Sequence, residues 1–202
     1  MAKTLADICQ LADDRIAVAD LDLDRYISTE NMLPDKAGIT ISAGLPTVAQ
    51  TQAFKAGDVL VSNIRPYFRK IWLSDRAGGC SNDVLVLRAK ANCRPAFLYY
   101  SLSDDSFFEY ATATAKGTKM PRGDKDAIMR YEVPDVPIAK QDWIITVLAG
   151  INAKIVINKR VNDYLPGRRP YLDSSALIRR GRRVSRTKAS LLFSRTFCLT
   201  VS

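Results

Sequence analysis

The hydrophobic positions of the chain form their longest regular pattern between Pro137 and Leu165. Apolar residues recur there at steps of three and four, and this spacing predicts one long α-helix starting at Pro137. The stripe consists of Ile144, Val147, Leu148, Ile151, Ile155, Val161 and Leu165. A second apolar set (Ile145, Ala149, Val156 and Tyr164) widens it, so the helix is expected to contact a partner as well as its own domain.

Two asparagines, Asn158 and Asn162, fall on the seam of this helix near its far end. Polar seam residues fix register and partner number in helix pairs. We therefore expect the partner contacts to come from Ile144, Leu148, Ile151, Ile155, Asn158, Val161 and Leu165. The periodicity alone favours the plainer interpretation, a helix packed only on its own domain.

Shorter apolar runs before the long helix predict alternating strands and helices. The strands are expected at residues 25–28, 59–64, 69–74, 82–88 and 131–133, and the helices at residues 4–12, 95–102, 104–111 and 124–129. Residues 13–25 read as a loop, and residues 75–80, which include Gly78 and Gly79, read as a turn. The apolar centre of 82–88 predicts burial on both faces. This order favours an α+β fold with a mixed sheet.

The positive charge of the chain is concentrated after the long helix. The formal net charge is +9, but nine of the 30 basic residues and one of the 21 acidic residues lie in residues 166–202. Residues 1–165 are therefore close to neutral, so bulk charge is no evidence that they bind nucleic acid. The pattern predicts a domain at residues 1–136, a long helix at 137–165 and a weakly structured basic tail at 166–202.

Residue types restrict the chemistry of the chain. There is no histidine, which excludes a Ser-His-Asp triad, a histidine base and a histidine metal site. The four cysteines, Cys9, Cys80, Cys93 and Cys198, form no C-x-x-C pair and indicate reduced thiols in the cytoplasm, without a structural zinc. Cys80 beside Asp83 could be a nucleophile and base, but a plain turn is favoured. No apolar run is long enough to span a membrane.

Two basic segments are candidates for contact with DNA. The first holds Asn63, Arg65, Tyr67, Arg69 and Lys70 at the end of a predicted strand, and the second holds Lys116, Thr118, Lys119 and Arg122 in a loop. Cations suit phosphates, while tyrosine and asparagine suit sugars or base edges. On spacing alone, a solvated hairpin rim is favoured for the first segment, and an ordinary exposed loop is as good a reading of the second.

Seven segments, in order, make the chain resemble the DNA-specificity (S) subunits of type I restriction-modification systems. They are YISTENM at 26–32, FKAGDVL at 54–60, IRPYFRK at 64–70, CSNDVLVLR at 80–88, FLYY at 97–100, GTKMPR at 117–122, and PDVPIAKQ at 134–141, which leads into the long helix. The resemblance covers about residues 4–165. No single segment is decisive, and their order and spacing carry the match.

The resemblance implies a target-recognition domain followed by a spacer helix. Such a domain reads one half of a bipartite site in double-stranded DNA, and paired antiparallel spacer helices set the distance between two domains. The partners implied are methyltransferase (M) subunits, which hold S-adenosylmethionine and carry the adenine methylation, and a restriction (R) subunit. The S subunit itself is not catalytic, and it holds no cofactor or metal.

The chain departs from the family pattern because it has one recognition domain and one helix, where members usually carry two of each. It is either a half-subunit that forms a homodimer through the long helix or a truncated form, and an altered reading frame would explain the tail. A truncated form that binds proteins without reading DNA is the alternative function. A stand-alone enzyme is the weakest hypothesis.

Overall fold

The computed structural model describes residues 2–164. The chain groups into two units, Met1–Gly150 and Ile151–Ser202, and the described residues of the second unit are the final turns of one helix. Leu165 and the tail at 166–202, about which the sequence made predictions, lie outside the described residues.

Unit one is built from ten short strands and the helices between them. The strands are β1 (Ala2–Thr4), β2 (Cys9–Leu11), β3 (Arg15–Ala17), β4 (Tyr26–Ile27), β5 (Gln50–Phe54), β6 (Val59–Ser62), β7 (Ile71–Leu73), β8 (Gly78–Cys80), β9 (Val84–Ala89) and β10 (Glu132–Pro134). The helices are α1 (Leu5–Ile8), α2 (Pro95–Leu102), α3 (Asp105–Ala113), α4 (Lys125–Met129) and α5 (Ile138–Tyr164), with 3-10 turns at Val18–Asp20 and Pro66–Phe68.

The strands form three sheets. One has the order β2-β9-β6-β7 and is antiparallel throughout, and a two-stranded sheet joins β1 to β10. The third has the order β3-β5-β8-β4, in which β4 and β8 run parallel. Helices and strands mix without regular alternation, and the predicted α+β class with a mixed sheet is confirmed.

Two hydrophobic cores lie on opposite faces of the central strands β6 and β9. Val59 and Leu87 pack among the buried residues of the helices, while Leu60 and Val86 pack in a second core with Phe54 of β5. These strands therefore have no solvent face, and burial of both faces stabilises the fold through the apolar area removed from water. This arrangement confirms the prediction that the strand within residues 82–88 is buried on both sides.

The first predicted helix is shorter than expected. It ends at Ile8, and Cys9–Leu11 forms strand β2, in register with Leu87 to Ala89 of β9. The apolar spacing of residues 4–12 fits a helix, but the edge of β9 offers backbone hydrogen bonds that a continued helix would leave unmade. Arg15–Ala17, predicted to be loop, likewise pairs with β5.

The predicted turn at 75–80 contains a strand, which is a second correction. Gly78–Cys80 forms β8 between β5 and β4. A Cβ at Gly79 would approach Leu21 at 2.5 Å and Thr51 at 2.7 Å, and one at Gly78 would clash with the Arg25 carbonyl. The glycines allow neighbouring segments of the chain to approach β8 closely. The prediction of a turn rested on the usual association of glycine with turns.

The long helix is confirmed, as α5, and a buried glutamine ties its first turns to the other elements of unit one. The Gln141 side chain accepts a hydrogen bond from the Arg94 backbone at 2.8 Å and donates to the carbonyls of Val136 at 2.7 Å and Asn92 at 3.1 Å. Arg94 also pairs with Asp142 at 2.9 Å. The helix has 27 residues and is therefore about 40 Å long.

Candidate nucleic-acid interface

The first predicted segment forms the connection between strands β6 and β7. After Ser62 the chain enters the 3-10 turn Pro66–Phe68, which is flanked by Arg65 (φ 50°) and Arg69 (φ 52°) in the left-handed region. Residues other than glycine rarely adopt this conformation, so surrounding contacts must hold the turn.

Neighbouring segments supply those contacts. The backbone N–H of Asp35 donates to the Phe68 carbonyl at 2.9 Å, and that of Lys36 donates to the Arg69 carbonyl at the same distance. The Arg69 guanidinium lies 3.1 Å from the Asp105 carboxylate, which also accepts Lys36 at 2.7 Å. Hydrogen bonds from Lys36 and then Arg69 lower the pKa of Asp105. The turn is thus clamped between the loop at 35–36 and helix α3.

The second predicted segment forms a narrow loop with an exposed tip. Lys116 and Arg122 exchange two backbone hydrogen bonds of 2.8 and 2.9 Å, which close the base of the loop. Gly117 has a φ of 97°, and residues 117–120 are exposed. The tip carries Thr118 and Lys119, both predicted as DNA contacts.

The structure brings the two segments together, although they are far apart in the sequence. The Arg65 N–H donates to the Pro121 carbonyl at 2.8 Å, and the Gly123 N–H donates to the Asn63 carbonyl at 3.0 Å. Ile64 and Arg122 also form a β-bridge. We call the surface formed by residues 63–70 and 116–122 the candidate interface.

Carboxylates already neutralise several of its cations. Lys116 lies 2.6 Å from Asp124, and this hydrogen bond raises the pKa of Lys116. Arg122 lies 3.0 Å from Asp83, and Arg69 is held by Asp105 as described above. These side chains order the candidate interface, and each must share its charge with an acid.

Arg65 and Lys119 differ from the other cations. Within residues 2–164, neither side chain has a hydrogen bond or ion pair. Both residues are exposed, so they are the cations most available to an anionic ligand. Lys70 is intermediate, because its ammonium group donates to the Thr29 carbonyl at 2.6 Å and burial lowers its pKa.

Asn63 and Tyr67 occupy contrasting positions. Asn63 is only 8% exposed, and its Oδ1 atom has no hydrogen-bond partner among the described residues. A Cβ at Gly123 would lie 2.8 Å from that atom, so Asn63 lies beneath the second segment. Tyr67 is 48% exposed and borders a cleft of about 460 Å³ with helix α3.

Sequence reasoning missed the partners of these residues and two of the exposed side chains. Asp83, Asp105 and Asp124 hold the cations, but nothing local in the sequence indicates those pairings. Phe68 and Met120 are exposed at 39% and 48%, and an apolar residue inside a basic loop was an available signal for both.

Comparison with known proteins shows what the chain is similar to. No family model matches the chain. The Escherichia coli "Type I restriction enzyme EcoDI specificity subunit" is 26% identical over 113 residues, which are 55% of this chain and 25% of that protein. The chain thus spans about a quarter of the length of this curated relative.

Solved structures share the fold. The HsdS subunit from Thermoanaerobacter tengcongensis aligns with a TM-score of 0.60 and 18% identity, over 80% of this chain and 44% of its own. The type I restriction-modification S subunit from M. genitalium aligns with a TM-score of 0.52 and 17% identity, over 81% of this chain and 43% of its own. The chain is similar to type I specificity subunits in sequence and fold. A chain from a structural study of type I R-M complex assembly and conformational transition aligns with a TM-score of 0.56 and 14% identity, over 80% of this chain and 40% of its own.

These findings confirm the resemblance to type I specificity subunits that the sequence segments indicated. The similarity to EcoDI is in sequence, and the similarity to the two S-subunit structures is in fold. The assignment of individual residues to DNA contact stays a prediction.

The remaining chemical candidates do not form a catalytic centre among the described residues. Cys80 is fully buried, and burial raises its pKa to about 12, so it is not an available nucleophile. Asp83 is engaged by Arg122. Within residues 2–164 no group of three or more acidic or cysteine side chains is placed to hold a metal, and no helix has the length and hydropathy of a membrane span.

Proposed function

We propose that this chain is a DNA-specificity subunit that reads one half of a bipartite site in double-stranded DNA and directs methyltransferase subunits to it. The observation that carries the proposal is the convergence of residues 63–70 and 116–122, which places Arg65 and Lys119 on one surface, without acidic partners among residues 2–164. Phosphates are the ligands that such unpaired cations bind in DNA complexes.

The exposed stripe of α5 supports a homodimer. Ile151, Ile155 and Val161 are about half exposed, and Asn158 lies on the same seam. Two copies paired antiparallel through this stripe would present two recognition domains, and their target would be a two-part inverted repeat. A helix about 40 Å long matches half-sites roughly one DNA turn apart, about 34–36 Å.

The chemistry belongs to partners in this proposal. The methyltransferase subunits bind S-adenosylmethionine and methylate adenine, and a restriction subunit is a further partner of the complex. This chain acts in the cytoplasm and contributes recognition without catalysis or a cofactor.

A second function, a protein-interaction module that no longer reads DNA, is favoured by one observation. Trp143 is 68% exposed on the first turns of α5, and a large exposed apolar side chain often marks a protein contact. That function requires α5 but not Arg65 or Lys119, so variants separate the two.

The deciding experiment is a methylation map. The chain is expressed with a neighbouring methyltransferase subunit in a host without adenine methylation, and modified adenines are located by sequencing. A symmetric two-part motif is expected, and its loss in the double variant Arg65→Ala/Lys119→Ala, with Lys140→Ala unaffected, assigns recognition to the candidate interface. If both proteins are soluble and no adenine is modified, the interaction module replaces the proposal.

A further inference from the structure

We propose that the turn Pro66–Phe68 is an aromatic wedge that enters a base-pair step of the bound duplex and kinks it. This inference rests on the proposed DNA-binding function and adds a mechanical role for one element of the same surface. It assigns Tyr67 as the inserting side chain and Phe68 as its support.

Exposure of two adjacent aromatic rings is the first reason. Tyr67 and Phe68 are 48% and 39% exposed, with ring centroids 4.8 Å apart and planes tilted by 52°. Large apolar side chains at a basic surface are the means by which several architectural proteins unstack base pairs. Together the two rings present an apolar edge beside Arg65, the cation that would bind phosphate.

The rigidity of the turn is the second reason. Arg65 and Arg69 are both left-handed, and the turn between them is closed by hydrogen bonds from the Phe68 N–H to the Arg65 carbonyl (3.0 Å) and from the Arg69 N–H to the Pro66 carbonyl (2.8 Å). Asp35 and Lys36 hold it from outside. A wedge must keep its shape against stacked bases, and a strained backbone fixed by its surroundings is typical of functional elements.

The division of roles follows from what touches each ring. The Lys70 ammonium lies 5.7 Å from the centroid of the Phe68 ring, so one face of that ring is already occupied. Tyr67 packs on Phe68 and otherwise borders the open cleft beside α3. Tyr67 is therefore the more accessible of the two rings, while its contact with Lys70 holds Phe68 in place.

The cations complete the arrangement. Arg65 directly precedes the turn, and its N–H binds the carbonyl of Pro121, next to the exposed loop that carries Lys119. Both cations lack partners among the described residues. Phosphate contacts beside the turn would offset the unfavourable unstacking, which is how wedge proteins balance DNA deformation.

The test uses the full chain and a duplex selected by that chain from a random pool. Energy transfer between dyes at the duplex ends reports bending, and 2-aminopurine placed at successive positions reports unstacking. The variants are Tyr67→Ala, Phe68→Ala and the conservative Tyr67→Phe. Val48→Ala is the control, because it removes an exposed apolar side chain that lies outside the candidate interface. Melting curves verify that each variant is folded.

The expected result is a bent duplex with one 2-aminopurine position that brightens severalfold on binding. Tyr67→Ala should abolish both signals and weaken binding by about 10-fold to 100-fold, as loss of base–aromatic stacking does. Phe68→Ala should have a smaller effect, and Tyr67→Phe and Val48→Ala should keep both signals.

Three outcomes would overturn the wedge. A bound duplex that stays straight and stacked with the wild-type chain refutes it and leaves DNA recognition intact. Bending and unstacking that persist in Tyr67→Ala show that the Tyr67 ring does not enter the duplex. A wild-type chain that selects no duplex overturns the proposed function together with the wedge.

Discussion

At the scale of single residues, ion pairing divides the cations of the candidate interface into two groups. Lys116 and Arg122 have carboxylate partners at 2.6 and 3.0 Å, whereas Arg65 and Lys119 have none among the described residues. A paired cation must release its carboxylate when it binds phosphate, and the freed acid repels the DNA. Such a cation therefore adds little to the free energy of binding. Only the unpaired cations should therefore contribute a full counterion to binding.

Salt dependence measures this difference. Arg65→Ala and Lys119→Ala should each reduce the slope of log binding constant against log salt by about 0.9, while Lys116→Ala should reduce it by less than half as much. The measurement is a binding titration on the selected duplex at several salt concentrations, with Lys140→Ala as control. Equal slopes for all four variants would contradict the division.

A second residue-scale feature, the pair Asp58–Arg88, holds strand β9 against the turn before β6. The Asp58 side chain is almost fully buried and receives two guanidinium hydrogen bonds, at 2.9 and 2.8 Å, and the Lys55 N–H at 2.8 Å. Arg88 also reaches Asp14 at 2.7 Å.

Removing the arginine should leave a buried carboxylate without its cation. We expect Arg88→Met to lower the free energy of unfolding by about 3–5 kcal/mol, the range for a broken buried ion pair. Urea unfolding measures this loss of stability. Arg94→Met breaks the exposed pair with Asp142 and should lower the free energy of unfolding far less. Similar losses for both variants would show that burial of Asp58 is not the cause.

At the scale of elements, the start of α5 depends on one polar side chain. Gln141 is buried and satisfies three backbone groups from Asn92, Arg94 and Val136. Unsatisfied buried backbone groups are costly, so this residue determines how the first turns of the helix are fixed within unit one.

Gln141→Leu leaves those groups without partners. The expected loss is about 2–4 kcal/mol of unfolding free energy, with faster hydrogen exchange in the helix from Ile138 to Gly150. Gln50→Leu, at an exposed position that starts β5, is the control. Unchanged exchange in the first turns of α5 would show that the helix is anchored by its apolar contacts instead.

Short strands are the elements that sequence patterns predicted least well. Cys9–Leu11 carries a helix-like apolar spacing, and Gly78–Cys80 consists of turn-forming residues. Each is only three residues long, so its conformation is decided by the strand beside it. Helices α2, α3 and α4 were predicted closely, because Pro95, Asp104 and Asp124 mark their starts locally.

At the scale of the whole molecule, the exposed stripe of α5 underlies the proposed homodimer. Ile151, Ile155 and Val161 each leave about half of their surface exposed, and Asn158 follows the same spacing. A partner helix would bury these side chains, with the hydrophobic effect as the driving force.

A charge in the centre of this stripe should prevent pairing. We expect the wild-type chain to sediment as a dimer and Ile155→Glu to sediment as a monomer across micromolar concentrations, since an unpaired buried charge is strongly unfavourable. Arg160→Glu, a charge reversal at an exposed position on the opposite face of the same helix, is the control. A wild-type monomer, or an Ile155→Glu dimer, would exclude pairing through this stripe.

The sequence by itself determined the features that depend on local order. The helix Ile138–Tyr164, the buried run Val84–Ala89, the α+β class and the two basic segments all follow from spacing, capping residues and composition over a few turns of chain. The resemblance to type I specificity subunits rests likewise on short segments in order, and the comparisons confirmed it.

Only the tertiary structure decided which of these segments meet. Contact between Arg65 and Pro121, and the pairing of Arg122 with Asp83, depend on the register of strands and loops that are distant in the chain. Sheet register and side-chain pairing are collective properties of the folded chain, so no local pattern encodes them. The same collective packing separated Arg65 and Lys119, which have no ion pair within the described part of the chain, from the paired cations, and left Tyr67 exposed on a rigid turn.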